Sequence, residues 1–140
     1  MSARGIEDYL YEVFPQMLRG GTERPYRVVH AGGDAVRVRM PCTEYLVRPG
    51  GTVSGPAMMA LADAAAYLLI FARLGRVPMA VTTNLNINFL RMPGAVDLIA
   101  DAGFLKLGKR LAAMEITICR DGEDVPVSHA TCTYSIPPDV

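Results

Sequence analysis

Ser54-Gly55-Pro56-Ala57-Met58-Met59-Ala60-Leu61-Ala62-Asp63-Ala64-Ala65-Ala66-Tyr67-Leu68-Leu69-Ile70-Phe71-Ala72 is the most apolar stretch of this 140-residue chain. Alanine, methionine and leucine are strong helix formers, and here they leave no polar stripe, so the stretch predicts a helix buried nearly all round. Its one charge is Asp63, at the middle. An ionised carboxylate buried without partners is costly, so Asp63 must be paired, protonated or turned toward a cleft. A structural hydrogen bond and a functional role both meet that demand.

Outward from the helix, both flanks read as strands. After Gly75 come four runs rich in β-branched residues, 79–90, 95–107, 111–120 and 125–136. Met92-Pro93-Gly94, Gly108-Lys109-Arg110 and Asp121-Gly122-Glu123-Asp124 separate them with turn compositions, which predicts a four-stranded antiparallel meander. Before the helix, Ile6, Leu10, Val13, Phe14 and Leu18 lie near helical spacing, so residues 3–18 predict a short amphipathic helix interrupted by Pro15. Gly20-Gly21 ends it. Residues 26–31 read as a strand. Gly32-Gly33-Asp34, residues that tolerate positive φ, then lead to Val36, Val38 and Met40 alternating with Arg37 and Arg39, a hairpin with one polar face. Residues 42–53, with Pro49, Gly50 and Gly51, read as a loop. The expected architecture is α+β: an antiparallel sheet curled around the central helix, in one domain spanning residues 1–140.

Composition narrows the function. The 14 basic and 14 acidic residues cancel, which gives no support for a nucleic-acid scaffold or an anionic membrane surface as partner. Cys42, Cys119 and Cys132 are odd in number and widely spaced, as reduced thiols of a cytoplasmic protein are. No basic segment followed by an apolar core opens the chain, which argues against secretion. The apolar helix approaches the length of a membrane span, but its central Asp63, its alanines and the flanking strands favour a core helix. His30 and His129 stand far apart without a Cys or carboxylate pattern around them, so zinc chemistry has no support and each reads as a strand residue.

Two blocks carry a likeness to a known family. Gly51-Thr52-Val53-Ser54-Gly55-Pro56-Ala57-Met58-Met59-Ala60-Leu61-Ala62-Asp63 is similar to a His-Gly-Gly segment followed by Leu-Ala-Asp on a central helix. Thr82-Thr83-Asn84-Leu85-Asn86-Ile87-Asn88-Phe89-Leu90-Arg91-Met92-Pro93 is similar to the following strand, with a Thr-rich start and a Phe-Leu-Arg-Pro-like end. Gly108-Lys109-Arg110 stands where a glycine precedes a basic residue in the next hairpin. Over nearly its whole length the chain thus resembles the hotdog-fold acyl-CoA thioesterases of the phenylacetate-pathway type. It departs from them at Ser54, where the family has its histidine, and at Pro56, in place of the second glycine. That histidine is not the family's proposed nucleophile or base. The resemblance implies a hotdog fold, hydrolysis of an acyl-CoA without a cofactor, and a homodimer, paired into a dimer of dimers, whose sites are shared across the subunit interface.

Thioester hydrolysis needs a group that activates water or attacks the carbonyl, and a donor for the developing oxyanion. Asp63 is suited to the first role. Gly55 is suited to the second, because a backbone N–H at a helix start has no intrahelical acceptor and lies at the positive end of the macrodipole. Pro56 suits the first turn, where its missing N–H is no loss. Eight residues of helix separate Gly55 from Asp63, about 12 Å at 1.5 Å per residue, too far to act on one carbonyl. Antiparallel helices of two copies would bring one chain's Gly55 to the other's Asp63. Thr82 or Thr83 is the candidate for orienting the attacking water, with ordinary strand packing as the alternative for each. Ser54, Pro56, Met59, Tyr67 and Asn84 are candidates for the substrate site, Met59 and Tyr67 for its acyl pocket or for plain packing. Arg91, Lys109 and Arg110 are candidates for the coenzyme A phosphates. Three other readings compete: a non-catalytic acyl-CoA binding protein, a structural dimer with no ligand in which Asp63 only makes a buried polar contact, and a dehydratase or hydratase, which would want a histidine where Ser54 stands.

Overall fold

A computed structural model describes residues 1–138. In chain order the elements are α1 (Ala3–Val13), a 3-10 turn (Pro15–Met17), β1 (Arg27–Ala31), β2 (Ala35–Met40), a 3-10 turn (Glu44–Leu46), β3 (Val47–Arg48), β4 (Thr52–Val53), α2 (Gly55–Leu74), β5 (Val81–Phe89), β6 (Leu98–Leu107), β7 (Leu111–Arg120) and β8 (Pro126–Ser135). One antiparallel sheet runs in the order β1-β2-β6-β7-β8-β5, and β3 and β4 form a small separate ladder. Helix α2 packs on β2, β6, β7, β8 and β5, with α1 beside it. This is the hotdog arrangement.

The core follows from alternation on each strand. Leu98, Ala100 and Ala102 on β6, Met114, Ile116 and Ile118 on β7, and Ala130, Cys132 and Tyr134 on β8 are buried toward α2. The helix answers with Leu61, Ala62, Ala65, Ala66, Leu68, Leu69, Ile70 and Phe71, all fully buried. By length and composition α2 is apolar enough to cross a membrane, yet 61% of its most apolar window is buried inside the fold. It ends where expected, at Gly75 with φ 84°, whose N–H bonds the Phe71 carbonyl at 2.9 Å.

Four expectations need correction. The last four strands are not a sequential meander: β5 pairs with β8, and β6 pairs with β2. Met92-Pro93-Gly94 does not close a hairpin. The Gly94 N–H bonds Thr52 Oγ1 at 2.9 Å and its carbonyl accepts from Val53 at 2.9 Å, which carries the chain past β4 to the far side of the sheet. There Arg37 faces its direct partner Asp101 across the β2–β6 ladder at 2.8 Å, an opposite-charge pair that favours this neighbour and register. Second, the loop over 42–53 contains the β3–β4 ladder, with Gly50 and Gly51 at φ 103° and 76° making its turn. Third, the helix read over 3–18 breaks slightly ahead of its expected interruption at Pro15: α1 ends at Val13, Phe14 caps it, and Pro15–Met17 form a 3-10 turn in place of further α-helix. Fourth, neither Gly32 nor Gly33 has positive φ, so the β1–β2 turn does not use the freedom expected of them.

The three cysteines are free; Cys119 and Cys132 are buried and Cys42 is half-buried. Burial, with the nearby charge of Asp63, pushes the Cys132 thiol up to about 12. Near neutral pH a thiol-reactive dye is therefore expected to titrate at most one thiol per folded chain and all three after denaturation, a stoichiometry read from dye absorbance.

Candidate active site

The start of α2 is built by three adjacent residues. Ser54 is its N-cap: the side-chain oxygen accepts the Ala57 N–H at 3.2 Å, and the backbone carbonyl accepts from Met58 at 3.2 Å. Pro56 has no N–H to satisfy, so the Gly55 N–H is the donor left over at the helix start. The Phe89 ring lies 3.4 Å from where a Gly55 Cβ would sit, and both residues border an open cavity of about 420 Å³ with Arg48, Met58 and Arg91.

Eight residues along α2, Asp63 is half-buried at a second cavity of about 340 Å³. Thr82 Oγ1 donates to Asp63 Oδ1 at 2.7 Å, and the Tyr134 hydroxyl donates to the same oxygen at 2.9 Å, with a further contact of 3.2 Å to the Asp63 carbonyl. Oδ2 is left without a hydrogen-bond partner among the described residues. Burial, then the charge of Asp63, drives the Tyr134 hydroxyl far above the ordinary tyrosine range, so it remains a proton donor. Tyr67 stacks on Tyr134 with ring centroids 5.8 Å apart and donates its own hydroxyl to the Pro78 carbonyl at 2.7 Å.

A β-bulge decides between the two threonines. Thr82 pairs with Tyr134 and Asn84 with Thr133, which leaves Thr83 as the extra residue. Thr82 shares the inner face with Tyr134 and reaches Asp63, whereas Thr83 Oγ1 donates to the Thr133 carbonyl at 3.1 Å. Asn84 lies on the opposite face, away from Asp63. Met59, 40% exposed, lines neither cavity, while its neighbour Met58 lines the one at Gly55. The basic candidates are divided. Arg91 borders the Gly55 cavity and donates to the Pro126 carbonyl. Lys109 and Arg110 sit at the β6–β7 turn, beside an opening of about 640 Å³ past the end of α2. Ala112, Tyr134 and Thr82 form one row of the sheet, so Arg110 lies about 7 Å further along the strand direction.

Tyr134 escaped the sequence reading, although a signal was present. Ala130, Cys132, Tyr134 and Ile136 alternate with His129, Thr131, Thr133 and Ser135, which turns Tyr134 into the core. A buried tyrosine hydroxyl needs a partner, and Asp63 is the one charge on the core helix. Leu10, Phe14, Met17 and Tyr26, which wall the Asp63 cavity from the N-terminal segment, also escaped it. Among the described residues no group of three His, Cys, Asp or Glu side chains is placed to hold a metal ion.

A family model described as the thioesterase superfamily matches residues 50–136, which include Gly55, Asp63, Thr82 and Tyr134. The chain belongs to the thioesterase superfamily. Its class is that of the thioester hydrolases. A solved protein of Silicibacter sp. TM1040, provisionally described as a thioesterase, matches this thioesterase with a TM-score of 0.85 and 41% identity over 99% of this chain and 93% of that one. A Thermoplasma acidophilum protein provisionally named an esterase is 29% identical over 79% of this chain and 83% of its own. The fold is shared with a variant of the phenylacetic acid degradation protein PaaI from Thermus thermophilus, at a TM-score of 0.70 and 24% identity over 80% of this chain and 93% of that one.

Tyr134→Phe in this thioesterase removes one of two donors to Oδ1, together with the 3.2 Å contact to the Asp63 carbonyl. Hydrogen bonds to a charged group are worth about 1.5–3 kcal/mol, so kcat is expected to fall about 10-fold to 100-fold with little change in KM, as measured by thiol release.

Proposed function

We propose that this thioesterase hydrolyses a medium-chain or aryl acyl-CoA, with Asp63 as general base or nucleophile and the Gly55 N–H of a second copy as oxyanion donor. The observation that carries this reading is the asymmetry at Asp63. Thr82 and Tyr134 both hold Oδ1, so the carboxylate is fixed in direction while Oδ2 keeps its lone pairs for a proton or a carbonyl carbon. As a base, Oδ2 takes a proton from water as the oxygen attacks the thioester carbon. As a nucleophile, Oδ2 attacks that carbon itself, the thiolate leaves, and water cleaves the resulting anhydride. In both routes the carbonyl oxygen becomes an oxyanion, and the C–S bond breaks to release coenzyme A thiolate, a good leaving group because thiols ionise near neutral pH.

The distance along α2 supports a shared site, since about 12 Å separates Gly55 from Asp63 within one chain. The exposed margin of the molecule supports it too. Strand β5 is an unpaired sheet edge nine residues long. Met79, Val81, Phe89, Leu90 and Met92 stay between 48% and 73% exposed along and just beyond it, and Met59 and Ala60 are exposed on α2. An edge of this length and apolarity favours pairing with a second copy. In that homodimer, extended to a dimer of dimers, Gly55 and Arg91 of one chain complete a site begun by Asp63, Lys109 and Arg110 of the other, and the basic groups meet the phosphates of coenzyme A. Free thiols suit a cytoplasmic enzyme of this kind.

The testing experiment is thiol release across short, medium, long and aryl acyl-CoAs. Turnover that peaks in the medium or aryl members supports the reading. A folded dimer inactive on every member would overturn it in favour of acyl-CoA binding without catalysis or of another thioester carrier.

A further inference from the structure

We infer that Phe14 and Met17, in the segment that follows α1, set the largest acyl group this site accepts. The inference rests on the hydrolase reading above and adds to it where the acyl group ends. The matched family region, residues 50–136, supplies Asp63, Thr82, Tyr67 and Tyr134 to the lining of the 340 Å³ cavity. The apolar remainder of its wall includes residues from outside that region: Leu10, Phe14 and Met17, with Tyr26 before β1. An acyl chain whose carbonyl lies at Asp63 has this apolar wall ahead of it.

The helix that leads into this wall is held in place by polar bonds on another of its faces. Ile6 and Leu10, four residues apart on α1, face one way, into the core against α2, and Leu10 and the helix's C-cap Phe14 border the cavity. Glu7 and Tyr11, one residue further round, face β1. The buried Glu7 carboxylate accepts the Val28 N–H and an Arg24 N–H, each at 2.7 Å. The Tyr11 hydroxyl donates to the Tyr26 carbonyl at 2.7 Å and accepts the Tyr26 N–H at 2.8 Å. These bonds fix α1 and the Tyr26 backbone together, so the wall is set in position before substrate arrives and resists an oversized acyl group.

Phe14 and Met17 are the adjustable members. Leu10 is fully buried in the core, and the Tyr26 backbone is clasped by Tyr11. Phe14 and Met17 are partly buried, and Phe14 meets Tyr67 edge-on with centroids 5.8 Å apart. Truncating either lengthens the cavity without touching Asp63, Thr82 or Tyr134.

The test is kcat/KM for Phe14→Ala, Met17→Ala and the parent, on straight-chain acyl-CoAs in two-carbon steps and on aryl acyl-CoAs of increasing size. The best substrate is expected to become longer by at least one step, and the ratio of kcat/KM for the longer to the original best substrate to rise about tenfold, the scale of one methylene in an apolar pocket. Phe14→Trp is expected to move the profile toward shorter chains. Should Phe14→Ala fail to fold, Phe14→Leu and Met17→Ala read the same quantity. An unchanged profile in folded, active variants overturns the inference and leaves the hydrolase reading standing. A parent inactive on every acyl-CoA overturns both, so the two failures are distinct.

Discussion

Asp63→Asn is expected to yield a folded protein whose thioester hydrolysis is lower by on the order of 10²–10⁴-fold, the range contributed by a positioned base. Asparagine has the size and shape of aspartate, and its carbonyl oxygen accepts from Thr82 and Tyr134 as Oδ1 does, so the packing around the helix is retained. What changes is the other position. An amide NH₂ replaces the free Oδ2, and it neither takes a proton from water nor attacks a carbonyl carbon. Asp63→Ala is a poorer test, because it leaves the buried Tyr134 hydroxyl only its longer contact to the residue 63 carbonyl and takes the acceptor from Thr82, which mixes lost stability with lost chemistry. Thiol release and a thermal melt on the same sample separate the two. If Asp63→Asn turns over like the parent, Asp63 has no chemical role. If it melts far below the parent, the carboxylate is a structural tie between α2, β5 and β8.

The contrast between legible and hidden features has a physical basis. Helix α2 was legible because composition alone decides it: a long alanine, methionine and leucine run has one favourable backbone, and a lone charge inside it stands out. The strands were legible from alternation and turn residues, which are local. Strand order was not, since Met92-Pro93-Gly94 has the composition of a hairpin turn and partners remote in sequence, Thr52, Val53 and Arg120, redirect it. The choice of Thr82 over Thr83 was hidden for a similar reason. Two adjacent threonines look alike in sequence, and the bulge that separates them exists only against β8. Tyr134 stands 71 residues from the carboxylate it holds, and the wall at Phe14 and Met17 is also remote from Asp63 on the other side. Such contacts arise from how the sheet closes around α2. The departure at Ser54 also becomes intelligible, because Ser54 Oγ caps the helix whose first N–H is the proposed oxyanion donor.

Gly55→Pro is the second large effect, expected to lower kcat by on the order of 10²–10³-fold through loss of one oxyanion donor. Proline is tolerated at the first helical residue, where its φ suits the helix and its missing N–H was unbonded, so Gly55→Pro deletes the donor while α2 can still form. Gly55→Ala is the control, since it keeps the N–H and places a Cβ at ordinary contact distance, 3.4 Å, from the Phe89 ring. The decisive step is to mix Gly55→Pro with Asp63→Asn under conditions of subunit exchange. With sites built from one chain's Gly55 and the other's Asp63, every mixed dimer holds one doubly defective site and one whole site. Random exchange makes half of the dimers mixed, so about a quarter of the parental activity should return. Sites confined to single chains would return nothing, because every chain in the mixture lacks one group or the other. The mixture therefore reads the geometry directly: recovery requires that the two helix positions, too far apart on one α2, meet across two.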